Sequence, residues 1–176
     1  MRLRVLKLRP LKQSDAEQML EWMNDKSVVE KLQGNFMEKT LEDCRKFIEN
    51  SRNEHNIHLA IADDKDNYMG TVSLKHITPF SAEFAIAIRK EAMGKGFSKW
   101  AMKEILNKAL LDYKVEYVYW CVAEDNERAI KFYDKNGYKR VEPADIEITG
   151  EYTRQQIDAY IWYRFDLSMY DLSHKK

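Results

Sequence analysis

The sequence predicts a mixed α/β fold in a single domain that spans residues 1–176. Its length fits one domain of ordinary size. Apolar residues alternate at the period of a strand in several short segments and recur at helical spacing in others. No linker, repeat or shift in composition divides the chain. A hydrophobic fraction of 44% is typical of a protein with a substantial core.

The predicted helices begin at capping signals. Ser14 with Glu17, and Thr40 with Asp43, each place a hydroxyl three residues before a carboxylate, ahead of an apolar periodic segment. The first strand is expected to end at Pro10. The predicted elements, in chain order, are strand 3–9, helix 14–24, helix 40–53, strands 57–61, 68–77 and 82–88, helix 98–112, strand 115–123, helix 126–135, and strands 138–141 and 159–167.

The segments after residue 80 set the topology. Residues 115–123 are apolar on both faces, as in a central strand. Helices precede and follow this strand, and a helical crossover joins parallel neighbours. Gly137 after Asn136 is a typical helix C-cap. The resulting order is β-α-α-β-β-β-α-β-α-β-β.

Charge and composition exclude several classes of function. Lys plus Arg and Asp plus Glu both number 29, so the excess of cations typical of nucleic-acid binding is absent. No run of 18 apolar residues and no signal-peptide core occur, so we expect no membrane segment and cytoplasmic residence. Cys44, Cys121 and the four histidines lack the spacing of metal ligands, so we expect no metal.

A glycine-rich segment joins a predicted strand to a predicted helix. Gly94 and Gly96 allow a tight turn, and the backbone N–H groups ahead of a helix form an anion cradle. Lys95 and Lys99 add positive charge. No P-loop pattern is present, and the dinucleotide fingerprint fails because its third glycine position is Lys99. A pyrophosphate is the natural ligand, and a tight turn without ligand is the alternative.

Two motifs carry a resemblance to a known family. Residues 93–98, Met-Gly-Lys-Gly-Phe-Ser, resemble the acyl-CoA loop [RQ]-x-x-G-x-[GA] of the GNAT acetyltransferases. Residues 126–138 resemble that family's second signature, N-x-x-A-x-x-x-Y-x-x-x-G-[FY]. The order and separation also agree, and the resemblance covers nearly the whole chain from Leu8 onward. The sequence looks closest to the subgroup of ribosomal-protein N-terminal acetyltransferases.

The resemblance implies the GNAT fold, of class α/β (α+β), with a central mixed and strongly twisted sheet of about seven strands flanked by about four helices. It implies acetyl-CoA as acyl donor and an amine as acceptor. Met93 departs from the family's Arg or Gln, and Ser98 from its Gly or Ala. Neither change removes the backbone N–H groups of the loop, so we expect coenzyme binding to survive. The residues expected at the cofactor are Ile86, Ala87, Ile88, Met93, Gly94, Lys95, Gly96, Phe97, Ser98, Asn126, Ala129 and Tyr133.

Catalytic roles also follow from the resemblance. Tyr133 matches the tyrosine that protonates the leaving thiolate in many members; the alternative is an aromatic that only packs. Glu83 matches a common position of the general base, and the alternative is a solvated glutamate. An N–H near Ile86 or Ala87 is the expected donor to the reacting carbonyl oxygen. Asn126 is expected to cap its helix, to contact the coenzyme, or both.

The identity of the acceptor amine has fewer sequence signals than the cofactor site. The resemblance implies that the acceptor pocket draws on the first two helices, the loop between them and the last strands, which gives Trp22, Asn24, Phe36, Tyr152 and Tyr160. We expect an amino sugar or amino-sugar nucleotide first. A protein N-terminus, a polyamine, and a non-catalytic acyl-CoA-binding regulator are the alternatives. A non-enzymatic interaction module is a further alternative, in which the aromatics Tyr160, Trp162 and Tyr163 form a dimer edge or a pocket wall. The chain is expected to be a monomer or a homodimer.

Overall fold

The computed structural model describes residues 5–32 and 34–169. Seven strands form one sheet: β1 (Lys7–Pro10), β2 (Ile57–Ala62), β3 (Tyr68–Lys75), β4 (Ser81–Ile88), β5 (Tyr117–Ala123), β6 (Lys139–Val141) and β7 (Tyr160–Asp166). Six α-helices accompany them: α1 (Ala16–Met23), α2 (Lys26–Val29), α3 (Leu41–Glu49), α4 (Phe97–Lys108), α5 (Glu127–Lys135) and α6 (Arg154–Ala159). A π-helical turn, Ala109–Tyr113, follows α4 directly.

The sheet is mixed, in the order β1-β2-β3-β4-β5-β7-β6. Strands β4 and β5 pair in parallel, because α4 carries the chain back between them, and the other neighbours among the described strands pair antiparallel. This confirms the predicted mixed sheet of seven strands.

Two short helices were not predicted. Helix α2 has only four residues, and the Asp25 side chain caps it by accepting the Ser27 N–H. Helix α6 begins at a capping box in which Thr153 accepts the Gln156 N–H and the Gln156 side chain accepts the Thr153 N–H. The Thr153 pattern was therefore visible in the sequence, but the helix is too short for a clear apolar period.

The capping predictions had different outcomes. Thr40 and Asp43 form the predicted box at the start of α3. The Ser14–Glu17 box is wrong, because α1 begins at Ala16 after a 3₁₀ turn. The carboxylate of Asp15 instead accepts the Lys12 N–H and a bidentate pair of bonds from Arg9, at 2.8 and 2.9 Å. A buried guanidinium–carboxylate contact thus fixes the entry to the first helix.

The first strand also differs from its prediction. Leu3, its expected first residue, lies outside the described residues. Pro10 is the last residue of β1, as expected, and pairs with Leu59. Proline is tolerated there because β1 lies at the edge of the sheet.

The sheet has two differently covered faces. Helices α4 and α5 pack on one face around a core that includes Phe84, Trp120 and Tyr133. On the other face, α1–α3 form one core around Met19 and Cys44, and a second core surrounds Tyr119, Trp162 and Ile146. Trp162 is 1% exposed, so the expectation that it forms a dimer edge is wrong. The candidate site lies on this second face and continues through the sheet toward α5.

Candidate active site

Strands β4 and β5 separate halfway along their length. They pair only from Ser81 to Glu83 on β4, opposite Tyr117 to Tyr119 on β5. Beyond that point β4 remains paired with β3 through Ile88, and β5 with β7 through Ala123. A wedge-shaped gap therefore opens within the sheet, and residues 84–87 and 120–123 line one continuous cavity of about 470 Å³.

The hydrogen-bond alternation of the ladders shows which backbone groups face this gap. The Arg89 N–H donates to Met69 O at 2.9 Å, so odd-numbered residues of β4 bond to β3. Ile86 and Ile88 consequently turn their N–H and C=O toward the gap. Ala87 is turned toward β3, so of the two expected oxyanion donors only Ile86 has the right orientation. Free strand-edge groups of this kind can bind an extended chain as an added strand.

The glycine loop lies beyond the end of β4. Gly94 and Gly96 have φ of 73° and 83°, in the left-handed region that glycine alone adopts readily. A Cβ added at either position would meet no atom within 4 Å, so the loop borders open space. Gly96 is the N-cap of α4, and no side chain satisfies the first N–H groups of that helix. The loop therefore has the free donors and the space that an anion cradle requires.

Some side chains around the loop pack in the core, and others carry charge beside it. Phe97 is buried in the core, so only its backbone can face a ligand. Met93 stands where the family usually has Arg or Gln, and the Arg128 guanidinium donates to its sulfur at 2.8 Å. Arg128 thus supplies a positive charge beside the loop from another helix. Lys95 and Ser98, predicted with the loop, are also found there, outside the cavity lining.

Helix α5 forms the far wall of the gap. The Asn126 side chain accepts the Ala129 N–H at 3.2 Å, which confirms its capping role. Both residues also line the cavity, so a contact of Asn126 with a ligand remains compatible with the cap.

Tyr133 on α5 reaches the cavity from within an aromatic cluster. Its ring lies 5.3 Å from that of Trp120 and 5.2 Å from that of Tyr163. The side chain is only 7% exposed, and its hydroxyl has no hydrogen-bond partner among residues 5–32 and 34–169. Burial raises the pKa of Tyr133, so the group keeps its proton at neutral pH. The structure thus offers an unused proton donor at the wall of the gap.

Glu83 lies where β4 and β5 begin to separate, on the opposite face from Tyr133. It is 2% exposed, and it accepts a very short hydrogen bond from the Tyr152 hydroxyl. Lys75 Nζ and His76 Nε2 each lie 3.6 Å from one of its two oxygens. The prediction of Glu83 as a site residue did not foresee this set of partners. They argue against the alternative of a solvated strand glutamate.

The predicted acceptor residues are brought together only in part. Trp22, Phe36 and Tyr152 line the cavity. The Trp22 indole N–H donates to the buried Tyr68 hydroxyl at 2.9 Å, so this residue also belongs to the core. Tyr160 is absent from the lining: it pairs with Ala123 at the start of β7 and contacts the Tyr152 ring edge-to-face at 6.3 Å. Tyr160 is therefore corrected to a residue that supports Tyr152.

Sequence reasoning missed the polar residues that β2 and β3 place in the cavity. Which of these side chains reach the cavity depends on the register between neighbouring strands, and the residues next to them in sequence do not indicate that register. The His58 ring nitrogen Nδ1 lies 2.6 Å from Ser73 Oγ. Burial and the nearby Lys75 lower the pKa of His58 to about 4, so its ring is neutral at pH 7. The missed polar lining residues on these two strands are His58, Thr71, Ser73 and Lys75.

Metal-binding clusters and membrane-spanning helices are both absent from the described part of the chain. Within residues 5–32 and 34–169 no group of three or more His, Cys, Asp or Glu side chains is arranged to hold a metal ion. No helix in those ranges has the length and apolarity needed to cross a membrane.

A strand gap with a glycine loop beyond the end of β4 and a carboxylate beside it is the arrangement that the resemblance to the acyl-CoA-dependent acetyltransferases implies. The sequence profile of the family "Acetyltransferase (GNAT) domain" matches residues 5–139, and the chain belongs to this family. The family assignment confirms the predicted class, an acetyl-CoA-dependent N-acetyltransferase, and with it acetyl-CoA as acyl donor.

Individual relatives are spermidine acetyltransferases. The spermidine N(1)-acetyltransferase of Vibrio cholerae serotype O1 is 31% identical over 80 residues, which are 44% of this chain and 46% of that protein. The match therefore spans about half the length of this curated relative. The expected subgroup is corrected accordingly, because this relative acetylates spermidine and is not a ribosomal-protein N-terminal acetyltransferase.

Solved structures support the same fold. Spermidine N-acetyltransferase from Vibrio cholerae, in complex with CoA and spermine, has a TM-score of 0.75 at 22% identity, over 93% of this chain and 96% of that one. A probable acetyltransferase has a TM-score of 0.74 at 18% identity, over 94% of both chains. At these identities the likeness establishes the fold, and the predicted GNAT architecture is confirmed.

Proposed function

We propose that this chain transfers the acetyl group of acetyl-CoA to the primary amine of a small molecule, by direct attack within a ternary complex. The main observation that supports this proposal is the gap between β4 and β5. On its α5 side it offers Asn126 and Tyr133, with the glycine loop beyond the end of β4, and on its other side the cavity around Glu83. Donor and acceptor can therefore meet inside the sheet from opposite faces.

Chain residues supply each requirement of the reaction. The Ile86 N–H faces the gap and can donate to the carbonyl oxygen as it gains negative charge. The amine must lose a proton to attack, since a free alkyl amine has a pKa of roughly 10. Glu83 is placed to accept that proton, directly or through water, while Tyr152 holds the carboxylate in position. Tyr133 is placed to protonate the departing thiolate.

The acceptor amine has two candidate classes. The spermidine acetyltransferases among the relatives support a polyamine, which fits them better than the amino sugar expected first from the sequence. The lysines of the cavity lining instead favour an acceptor that carries an anion. Cytoplasmic residence, a single domain over residues 1–176 and a monomeric or homodimeric state remain predictions.

Calorimetric titration of the purified protein tests the proposal first. We expect acetyl-CoA and CoA to bind with micromolar affinity and ATP to bind far more weakly. An amine panel with thiol-release detection then identifies the acceptor. A folded protein that fails to bind acetyl-CoA would refute the proposed function.

A further inference from the structure

Four lysines line the acceptor side of the cavity. We call Lys31, Lys39, Lys46 and Lys75 the lysine rim. They come from the end of α2, the loop before α3, α3 itself and β3. The same lining contains two acidic residues, Asp43 and Glu83.

Both carboxylates already have partners within the protein. Asp43 accepts the Thr40 N–H at 2.8 Å and the Thr40 hydroxyl at 2.9 Å in the capping box of α3. These bonds lower the pKa of Asp43, so its charge serves the helix N-terminus. Glu83 is held by Tyr152, Lys75 and His76. Asp43 is therefore committed to its helix, whereas Glu83 Oε2 is buried and accepts no hydrogen bond from the described residues, so Glu83 keeps one oxygen for the amine of the acceptor.

Two lysines of the rim have only weak partners. Lys39 forms no close ion pair among the described residues, and Lys46 lies 3.9 Å from Glu42, with both side chains more than 60% exposed. Both lysines also interact at longer range with the Asp43 carboxylate. Lys31 is paired with Asp125 at 2.6 Å, and Lys75 with Glu83. Because His58 is neutral at pH 7, it neither adds to nor offsets this positive charge.

The lysine rim is separate from the glycine loop that would hold the phosphates of the donor. Lys75 lies beside Glu83 near the start of β4, and the loop follows the end of that strand. The five residue steps from Glu83 to Ile88 span about 17 Å of extended chain. Lys39 and Lys46 line the same cavity as Lys75, and no residue of the glycine loop does, so we assign the rim to the acceptor rather than to the pyrophosphate of the coenzyme.

We infer that the acceptor carries a phosphate or diphosphate group beside its primary amine, and that Lys39 and Lys46 bind it. This inference rests on the proposed function. Lysine ammonium groups are common phosphate ligands, acting as point charges. A polyamine would bring several cations to a lining with more lysines than carboxylates, where like charges repel. The amine itself would point inward to Glu83.

The test uses the intact protein saturated with CoA, so that the glycine loop is already filled. Inorganic pyrophosphate and spermidine are titrated separately by calorimetry, at low and at high salt. We expect pyrophosphate to bind and spermidine not to bind. The double variant Lys39→Gln, Lys46→Gln should weaken pyrophosphate binding at least about tenfold, since each change removes one charge of the site. Lys131→Gln is the matched control, because Lys131 is 81% exposed on α5 and lies outside the cavity.

The outcomes separate the two proposals. Failure of CoA to bind would refute the proposed function before pyrophosphate is added. Normal CoA binding with equal pyrophosphate affinity in the wild type and the double variant would overturn the lysine rim as a phosphate site. Spermidine binding more tightly than pyrophosphate would overturn it as well. If the double variant weakens CoA instead, the rim belongs to the donor and the inference fails.

Discussion

Replacing Tyr133 with Phe removes one oxygen from the wall of the strand gap and leaves the aromatic cluster intact. The ring contacts with Trp120 and Tyr163 do not involve the hydroxyl, and that hydroxyl has no hydrogen-bond partner among the described residues. The change therefore separates chemistry from packing. If Tyr133 protonates the thiolate, the variant keeps its fold and loses turnover.

The expected magnitudes follow from these contacts. Loss of a general acid lowers the rate by roughly 10²- to 10⁴-fold, equivalent to about 3 to 5 kcal/mol of barrier. The free energy of unfolding should change by less than about 1 kcal/mol, because no protein hydrogen bond is broken. The affinity for acetyl-CoA should stay within about threefold of the wild type, a difference of about 0.7 kcal/mol.

Tyr163→Phe is the matched control. Tyr163 stacks on Trp120 in the same cluster, but its hydroxyl donates to Asp134 at 3.0 Å, away from the cavity lining. This variant should lose about 1 kcal/mol of stability and keep its turnover. The assay is thiol release at saturating acetyl-CoA, together with urea unfolding of all three proteins. Full turnover in Tyr133→Phe, with acetyl-CoA bound normally, would show that water protonates the thiolate and that our role for Tyr133 is wrong.

Three further predictions concern the base, the glycine loop and a buried histidine. Glu83→Gln should lower kcat by about 10²-fold or more at pH 7 while acetyl-CoA affinity by calorimetry is unchanged, and equal kcat would exclude this base. Gly96→Val should abolish acetyl-CoA binding, whereas Gly137→Val, at a similar φ of 80° with open space around it, should cost about 1–2 kcal/mol of stability and leave binding intact. The pKa of His58 is lowered from 6.5 to about 4 in the folded protein. Between these pH values the ring is protonated in the unfolded chain but neutral in the folded one. The free energy of unfolding therefore falls as the pH drops from about 6.5 toward 4. Urea unfolding at pH 5 and 7.5 should differ by about 2 kcal/mol more in the wild type than in His58→Gln, and equal pH dependence would contradict the shift.

Much of the fold was predictable because its signals are local. The alternation of residues 84–88 and the two-sided apolar run at 115–123 depend on neighbours in sequence, and β4 and β5 were both found from them. The Thr40–Asp43 box was found for the same reason. The Ser14–Glu17 box failed because a 3₁₀ turn over Gln13–Asp15 precedes α1, and Asp15 rather than Ser14 accepts the local hydrogen bonds.

The parts of the candidate site that form a short sequence motif were predictable. The parts that depend on contacts between residues far apart in sequence were not. The glycines of the loop and Asn126 occupy fixed positions along the chain, so their spacing made them candidates, and their roles toward a ligand stay predictions. Tyr152 and Glu83 are 69 residues apart in sequence, and only the fold brings the Tyr152 hydroxyl into contact with the Glu83 carboxylate.

By itself the sequence determined the α/β class, the glycine loop ahead of α4, and the family to which the loop and its second signature point. These depend on periodicity and on short motifs, whose physical causes act within a few residues. Only the tertiary structure decided which residues line the cavity: it left Tyr160 out of the lining and brought His58 and Lys75 into it. The reason is that strand register and helix packing, set by burial across the whole chain, choose the face on which each side chain lies.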